Sequence, residues 1–483
     1  MNRIVRLIAL GAVSFFAVGC SCGSSSNPFP ELDWIAEVGA RSFPQGREVF
    51  TANAYGAVGD AMTDATQAVQ AAIDACKAHG GGKVTFEPGI YSVGSIFIDG
   101  DGIEFEIPRG TTLIGSRDIA DYRRIPTRVA GVEMEWPAAL INIMDCSGSA
   151  ITGQGTIHAR GKVFWDKYWS MRREYNPKGL RWIVDYDCER PRGILISGCS
   201  DITVRDIVLY QPGFWSLHIL YSDHVTVDNV VISNNIEGRG PSTDGVDIDS
   251  SHHILVENSH INCNDDNFCL KAGRDSDGLR VDRPCEYVVI RNCVAGHGDG
   301  LFTCGSETSG SIRHIAAYNM KGLGTKYGLR FKSTCQRGGT IEDIWLGNIE
   351  MRGVRDPFVV DLNWNPAYST SRLPAEFEGK KLPEHWLKML APVDPAQGTP
   401  KFRDVHFRNV EATDAATCVK VGGIESSTID GFTFENVSFR GRNAGSIAWA
   451  ADWTIDGLTI EASERPLTLE HCRGVDIEGV EVE

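Results

Sequence analysis

The sequence lacks an excess of basic residues. Its 483 residues include 47 Lys and Arg against 63 Asp and Glu, which gives a formal net charge of −16. This balance argues against nucleic acid or an anionic membrane face as a partner. It would also repel an acidic polymer at long range, so an acidic substrate requires a local basic patch.

The apolar run near the N-terminus is too short to span a bilayer. It covers residues 7–18 and follows Arg3 and Arg6, as in a signal peptide. Gly19 directly before Cys20 resembles a bacterial lipoprotein cleavage site, with Cys20 as the lipidated residue; ordinary cleavage near Cys20 is the alternative. We expect a lipoprotein-type signal peptide over 1–20 and a flexible tether over 21–45, which begins with the Gly/Ser/Pro-rich residues 21–30. The protein would then be exported and lipid-anchored at the bacterial cell envelope.

The 14 cysteines show no zinc-binding pattern. Beyond Cys20 and Cys22 no pair has the spacing of a zinc knuckle. Five cysteines lie inside apolar, strand-like segments: Cys263, Cys269, Cys285, Cys293 and Cys304. We interpret them as small buried core residues, with a disulfide framework as the alternative.

A short phrase of β-branched residues that ends at Asn or Asp recurs along the chain. Successive phrases start about 23 to 34 residues apart, except for one gap of about 61, which is a solenoid period. No helical pattern lies between them, so the repeats predict an all-β parallel β-helix rather than a propeller. The phrases cover 202–206, 225–229, 254–258, 288–292, 315–319, 344–348, 405–409 and 432–436.

Two segments depart from the repeat. Residues 63–79 form an amphipathic helix with an apolar stripe of Val69, Ala72, Ile73 and Cys76, and such a helix would cap the open end of the solenoid. Residues 356–400, rich in Pro, Trp and charge, predict an excursion that folds beside the coil. We expect one elongated domain over 46–483.

Acidic residues cluster in consecutive repeats. Asp244 precedes one strand, and Asp265 and Asp266 precede the equivalent strand about 21 residues later. Rungs stack at about 4.8 Å, so the three carboxylates should lie side by side and at least one pKa should rise. This meets a glycosidase's need for one protonated and one ionised carboxyl. Each Asp on its own is more typical of a turn residue, but carboxylates stacked on adjacent rungs favour a catalytic role.

Two cations follow in a later repeat. Arg330 and Lys332 lie two positions apart in a strand and therefore point to the same side. Beside the carboxylates they provide the basic patch that an acidic sugar requires. Without those acidic neighbours they would be an ordinary solvated strand face.

Four ordered motifs now carry a resemblance: S-T-D-G-V-D at 242–247, N-D-D-N at 264–267, G-H-G at 296–298 and R-F-K at 330–332. They resemble the signatures of glycoside hydrolase family 28, the polygalacturonase family, and the similarity extends over about 49–483. The resemblance implies a right-handed, pectin-lyase-like β-helix. It makes Asp265 the general acid, with Asp244 and Asp266 holding and deprotonating water, and Arg330 and Lys332 binding a galacturonate carboxylate. It further implies inversion, no metal and no cofactor.

The third motif offers two candidates, of which we favour His297 as the catalytic residue and place Asp299 among the substrate-binding residues. His297 matches the family histidine that tunes the general acid, whereas an ungapped register from Cys293 places Asp299 at that position. If Asp299 replaces the histidine, a fourth carboxylate would raise the pKa of the acid further.

The motifs favour galacturonate as the recognised sugar. Residues 273–278 and 361–366 resemble bacterial members that act from chain ends, and Trp364 could stack on a sugar or simply pack in a loop. We therefore predict a monomeric, exo-acting pectin hydrolase. A rhamnogalacturonan galacturonohydrolase and an endo-polygalacturonase remain alternatives, as do a pectate lyase and a glycan-binding solenoid. The rung spacing alone is closer to the carboxylate separation of retaining glycosidases than to that of inverting glycosidases.

Overall fold

The structure, a computed structural model, describes residues 26–477. The predicted signal peptide, the predicted lipidation residue Cys20 and positions 21–25 of the predicted tether lie outside the described residues. None of the described helices is both long and apolar enough to cross a membrane.

Parallel strands stack into three faces of a right-handed parallel β-helix, which confirms the predicted fold. The first face contains Val49–Thr51, Gly82–Thr85, Ile103–Ile107, Ala150–Gly153, Ser200–Arg205, Asp223–Asp228, His252–Glu257 and Cys285–Arg291. The second face contains Asp60–Asp64, Gly89–Val93, Thr111–Gly115, Thr156–His158, Val208–Tyr210, Val231–Ser233, His260–Asn262 and Val294–Ala295. The third face contains Ile96–Ile98, Ile141–Met144, Ile194–Ser197, Leu217–Leu220, Val246–Asp249, Phe268–Lys271, Gly300–Cys304, Tyr327–Lys332 and Asp356–Asp361.

Towards the C-terminus, single strands run through more than one face. They are Ile312–Leu323, Thr340–Arg352, Lys401–Gly422, Ile429–Ala448 and Thr454–Glu470, with the short Ala450–Ala451 beside them. The first residues of the predicted repeats stand opposite one another from rung to rung and are fully buried: Ile202, Val225, Ile254, Val288, Ile315, Ile344, Val405 and Phe432. The repeat period is therefore the length of one turn of the coil.

A ladder of Asn side chains explains why the repeats end as they do. The last residue of each phrase turns the corner between the first and second faces with φ between 51° and 58°. Asn and Asp tolerate this left-handed conformation better than other residues with a side chain. The amide of Asn348 donates to the Asn319 side chain at 3.0 Å and accepts from Asn409 at 3.1 Å. From Asn292 to Asn436 each corner is thus hydrogen-bonded to the next.

A helix caps the N-terminal end. It spans Thr66–His79, starting three residues later than predicted, and all four residues of its apolar stripe are buried. Gly80 ends it with a φ of 92°, a left-handed conformation suited to glycine. The described cysteines are free, and the five assigned to the core are buried, as predicted.

Insertions leave the coil next to the third face, some before its strands and some after them. An antiparallel hairpin pairs Arg124–Val129 with Val132–Pro137. The helices are Lys162–Tyr175, Val184–Asp187, Asp275–Val281, Pro366–Ser369, Glu384–Leu390 and Pro395–Gly398. Single 3₁₀ turns span Asp33–Glu37, Ala52–Tyr55, Ile119–Asp121, Asn176–Lys178 and Ala375–Phe377. The predicted excursion starts later than expected, because Asp356–Asp361 is still a strand of the coil.

Residues 26–45 differ from the flexible tether predicted for them. Phe29 is fully buried and packs edge-on against Tyr318 and Trp345. The Gly39 amide donates to the His253 carbonyl at 2.9 Å, and Arg41 pairs with Asp201 at 2.8 Å. The buried aromatic anchor outweighs the loop-like composition, so this segment, which we call the N-terminal strap, is docked along the coil.

The Asn ladder gives a stability prediction. Asn348→Ala removes two side-chain hydrogen bonds and places a Cβ without a compensating amide at a φ of 51°. We expect a loss of about 1–3 kcal/mol in unfolding free energy, seen as a lower urea midpoint. Asn348→Gly relieves the backbone conformation and should recover part of that loss. An unchanged midpoint in both variants would contradict a stabilising ladder.

Candidate active site

The carboxylates share one corner of the third face on successive rungs. Asp244 precedes the strand Val246–Asp249, and Asp265 and Asp266 precede Phe268–Lys271 on the next rung. The structure brings one oxygen from each of the three side chains within 4.8 Å of the other two. The predicted juxtaposition of these three residues is thus present.

Asp266 is held as a carboxylate. Its Oδ1 accepts from the Gly300 amide at 2.9 Å and the Thr303 hydroxyl at 2.9 Å, and its Oδ2 accepts from Lys332 Nζ at 2.6 Å. Arg330 Nη1 lies 3.2 Å from Oδ1. Burial alone would raise the pKa of Asp266, but Lys332 and Arg330 outweigh burial and hold this pKa well below its usual range.

Asp265, one residue earlier, has the opposite environment. Burial, the Asp299 carboxylate and the Asp266 carboxylate raise its pKa to about 7. Lys332 and Arg330 oppose that rise but do not cancel it. Two adjacent residues in the chain therefore form a protonated and an ionised carboxyl at near-neutral pH.

Asp244 is buried on the preceding rung. Burial, followed by repulsion from Asp247 and Asp265, raises its pKa well above the ordinary value. Its Oδ1 accepts no hydrogen bond from the residues the structure describes. This oxygen is therefore a buried acceptor without a donor among the described residues.

A buried lysine that the sequence reasoning missed supports this acid. Lys271 Nζ lies 3.3 Å from Glu307, 3.5 Å from Asp247 and 3.8 Å from Asp244, and 4.7 Å above the Trp215 ring. Burial would raise the pKa of Glu307, but Lys271 keeps it below the usual value. The available signal was a lysine at the end of an apolar strand in the same repeat as Asp265 and Asp266.

The structure separates the two candidates of the third motif. Asp299 lines the cleft, and its amide donates to the Asp265 carbonyl at 2.7 Å. His297 is exposed; its backbone amide donates to Asn262 at 2.9 Å, and its ring lies beside Gly324. Of the two, Asp299 is the one that the structure brings to the carboxylates.

Asp244, Asp265 and Asp299 line a cleft of about 260 Å³. Its lining includes seven Lys or Arg residues against five Asp or Glu, so it is locally basic in a chain of net charge −16. A cavity of about 1080 Å³ lies elsewhere, between the hairpin and the segment 377–388, and contains none of the clustered acids. We place the site in the smaller cleft because the carboxyls with perturbed pKa values are there.

Two insertions form the wall of the cleft beside the basic pair. Trp364, after the strand Asp356–Asp361, lines the cleft, with Lys332 Nζ 4.6 Å from its ring centroid. The fully buried Arg274 donates to the Tyr186 hydroxyl at 2.9 Å and to the Tyr368 carbonyl at 3.0 Å. Residues 273–278 therefore lie behind the wall, where Arg274 joins the neighbouring insertions by hydrogen bonds.

Two groups of side chains have oxygen or sulfur atoms close enough to share a metal ion. They are Asp244, Asp247 and Cys269, and the three clustered aspartates. Each group already has a cation of the chain beside it, Lys271 for the first and Lys332 for the second. We therefore assign no ion to either, and the absence of a metal requirement stays a prediction.

A solenoid with one protonated and one ionised carboxyl in a basic cleft defines an acid–base glycoside hydrolase. The family model for glycosyl hydrolases family 28 matches residues 112–377. The chain belongs to this family.

Named relatives cover most of the chain at low identity. The exo-poly-alpha-D-galacturonosidase of Dickeya chrysanthemi is 24% identical over 466 residues, covering 86% of this chain and 75% of the relative. The endo-polygalacturonase of Pectobacterium parmentieri is 28% identical over 311 residues, covering 62% and 71%. The solved family 28 exopolygalacturonase of Yersinia enterocolitica has a TM-score of 0.74 at 20% identity, over 90% of this chain and 79% of that one. The last comparison shows the fold.

The buried lysine gives a prediction with a pH signature. Lys271→Met leaves three buried carboxyls without their shared cation, so we expect a loss of about 3–5 kcal/mol near pH 7. Without the ammonium the folded-state pKa of Glu307 rises, so the deficit present at neutral pH should shrink as pH falls towards 4. Urea unfolding at several pH values measures this. Lys77→Met, at an exposed ion pair with Asp99, is the control; a pH-independent deficit would contradict the interpretation.

Proposed function

We propose that this family 28 hydrolase releases galacturonic acid from the ends of pectic chains by acid–base hydrolysis with inversion. The observation that carries the proposal is the pair Asp265 and Asp266, adjacent in sequence, with pKa values displaced in opposite directions. The names of the Dickeya and Pectobacterium relatives support galacturonic acid as the sugar.

The roles follow from the environments. Asp265, protonated up to about pH 7, donates its proton to the leaving oxygen. Asp266, which stays ionised, takes the proton of the attacking water, and Asp244 on the preceding rung helps to hold that water. Asp299 takes the place of the family histidine, because its charge contributes to the raised pKa of the general acid.

The basic pair selects an acidic sugar. Arg330 uses one nitrogen for Asp266 and carries further N–H donors, and its guanidinium carbon lies 3.9 Å from the Tyr327 ring centroid. Lys332 lies between Asp266 and the Trp364 ring. A sugar carboxylate placed here gains charge-assisted hydrogen bonds, and Trp364 offers a face for its ring.

The size and walls of the cleft favour action at chain ends. Its volume of about 260 Å³ is slightly below the range of typical ligand pockets, about 300–1,000 Å³. Ala130 of the hairpin and Asn365 and Tyr368 of the excursion line it. We infer that these insertions close one end, so the cleft accepts a terminus rather than the middle of a polymer.

Inversion is favoured by how the carboxylates are occupied. Their separation, within 4.8 Å at the nearest atoms, is shorter than the roughly 6.5–9.5 Å of typical inverting pairs. However, Asp266 accepts three hydrogen bonds at Oδ1 and one from Lys332 at Oδ2, which lowers its nucleophilicity towards carbon and still leaves a lone pair of Oδ2 for a water. We therefore propose direct attack by water.

We also propose that the protein is exported and anchored through Cys20. The support is in the sequence: Arg3 and Arg6, an apolar run too short to span a bilayer, and Gly19 before the cysteine. Metabolic labelling with a radioactive fatty acid should mark the wild type and not Cys20→Ala.

The first functional prediction concerns the products. Polygalacturonate should yield galacturonic acid alone by chromatography, with the β-anomer formed first from the α-linked substrate by NMR. Asp265→Asn should lower kcat by about 10² to 10⁴-fold with an unchanged circular dichroism spectrum. A ladder of oligomers would contradict exo action, an α-anomer would contradict inversion, and an unsaturated product absorbing in the ultraviolet would contradict hydrolysis.

The second functional prediction concerns pH. Because Asp265 must be protonated and its pKa is about 7, kcat/KM should fall as pH rises through about 7. Asp299→Asn removes a charge that raises this pKa, so the falling limb should move to lower pH. His297→Ala, at an exposed side chain, is the matched control and should leave the limb in place. The reverse result would assign the tuning role to His297.

A further inference from the structure

Four of the seven Lys and Arg residues of the cleft form two sets on either side of the acids. Arg330 and Lys332 lie on the strand Tyr327–Lys332, two rungs beyond the strand that follows Asp265 and Asp266. Arg172 lies in the helix Lys162–Tyr175, and Arg239 lies in the loop that leads to Asp244. Both of these arginines line the cleft. The acids therefore stand between a set on the C-terminal side and a set on the N-terminal side.

Arg172 and Arg239 are held around one indole. Their guanidinium carbons lie 5.5 Å and 5.6 Å from the centroid of Trp169, and the Trp169 ring N–H donates to the Arg239 carbonyl at 2.8 Å. The hydrogen bond joins the helix to the loop, so the two arginines keep a common position. We call Arg172, Trp169 and Arg239 the arginine clamp.

The clamp differs from the other arginine and lysine side chains in the cleft by having no acidic partner. Neither Arg172 nor Arg239 forms an ion pair with any residue from 26 to 477. By contrast Arg181 pairs with Asp185 at 2.7 Å, and Lys326 lies 3.8 Å from Asp299. Two unpaired guanidinium groups facing a cleft in a chain of net charge −16 provide a site for an anion.

We propose that the arginine clamp binds the carboxylate of a second galacturonate, next to the one whose carboxylate contacts Arg330 and Lys332. The scissile bond then lies between two acidic sugars, one held on each side of Asp244, Asp265 and Asp266. This inference rests on the proposed function and makes it more specific. The substrate is a run of consecutive galacturonates, whereas in rhamnogalacturonan a neutral rhamnose would face the clamp.

The chemistry favours a carboxylate over a neutral sugar at this position. A guanidinium presents a planar fork that matches the two oxygens of a carboxylate, and Trp169 holds two such forks at one place. A rhamnose would offer neither guanidinium a counter-charge, so both charge-assisted hydrogen bonds would be lost.

The test uses digalacturonate and its two mono-methyl esters, in which one carboxylate at a time is neutralised. For the wild type, either ester should raise KM by roughly tenfold, because each removes a charge-assisted contact. Arg172→Gln/Arg239→Gln should raise KM for digalacturonate by a similar factor while changing kcat less than about twofold. The double variant should no longer discriminate against one of the esters but should still discriminate against the other. Arg172→Lys/Arg239→Lys should recover part of the affinity, and Arg173→Gln, exposed on the same helix, is the matched control.

The outcomes separate the clamp from the proposed function. A wild type that releases no galacturonic acid from any of these substrates overturns the proposed function and the clamp with it. An active wild type whose KM is unaffected by the double substitution overturns the clamp alone. If the double variant fails to fold, the wild type decides, because equal KM values for digalacturonate and both esters exclude a second carboxylate contact.

Discussion

The register between consecutive rungs is the constraint on which the rest of the molecule depends. Each turn of the coil must place its apolar residues over those of the turn before, and the corner ladder of Asn229, Asn258, Asn319, Asn348 and Asn409 repeats that alignment in polar contacts. A slip of one residue would turn every buried side chain outwards. Because the register is fixed, residues 21 positions apart in the chain (265 − 244) become lateral neighbours. The active site is a local consequence of that stacking.

Carboxyl groups stacked at one strand spacing repel one another when they are ionised, and the fold relieves this repulsion differently for each group. Asp266 has Lys332 and Arg330, so it stays ionised, whereas Asp265 faces Asp299 as well as Asp266 and retains its proton. On the preceding rung, Lys271 serves several acids at once. The difference between adjacent carboxyls therefore comes from which cations reach them across the rungs, and only secondarily from burial, which both share.

The sequence predicts the features that follow from the repeat period. It predicts less where the chain departs from the repeat. The core ladder, the capping helix, the three clustered aspartates and the basic pair all follow from spacing, and the structure places them together. The partnership of Lys271 with Glu307 was missed because those residues are 36 positions apart (307 − 271) and belong to no shared motif. Between His297 and Asp299 the chain passes Gly298, whose backbone approaches the Asn267 side chain closely, and the path through that corner decides which side chain enters the cleft. The helix Lys162–Tyr175 lies in an insertion, outside any repeat.

The N-terminal strap changes how the solenoid holds together. In a coil of this kind each rung contacts only its neighbours, so stability is close to a sum of local terms and ends can fray separately. The strap, by contrast, contacts rungs that are not neighbours of one another. The Pro28 carbonyl accepts from Arg408, and the Gly39 amide donates to the His253 carbonyl. Arg41 pairs with Asp201, and Gly46 packs on Gly82. A single extended segment thereby connects rungs from the cap to the C-terminal half of the coil. The strap therefore couples rungs that lie far apart along the coil axis. The rungs it crosses unfold together as one cooperative unit, which contacts between neighbouring repeats alone would not provide.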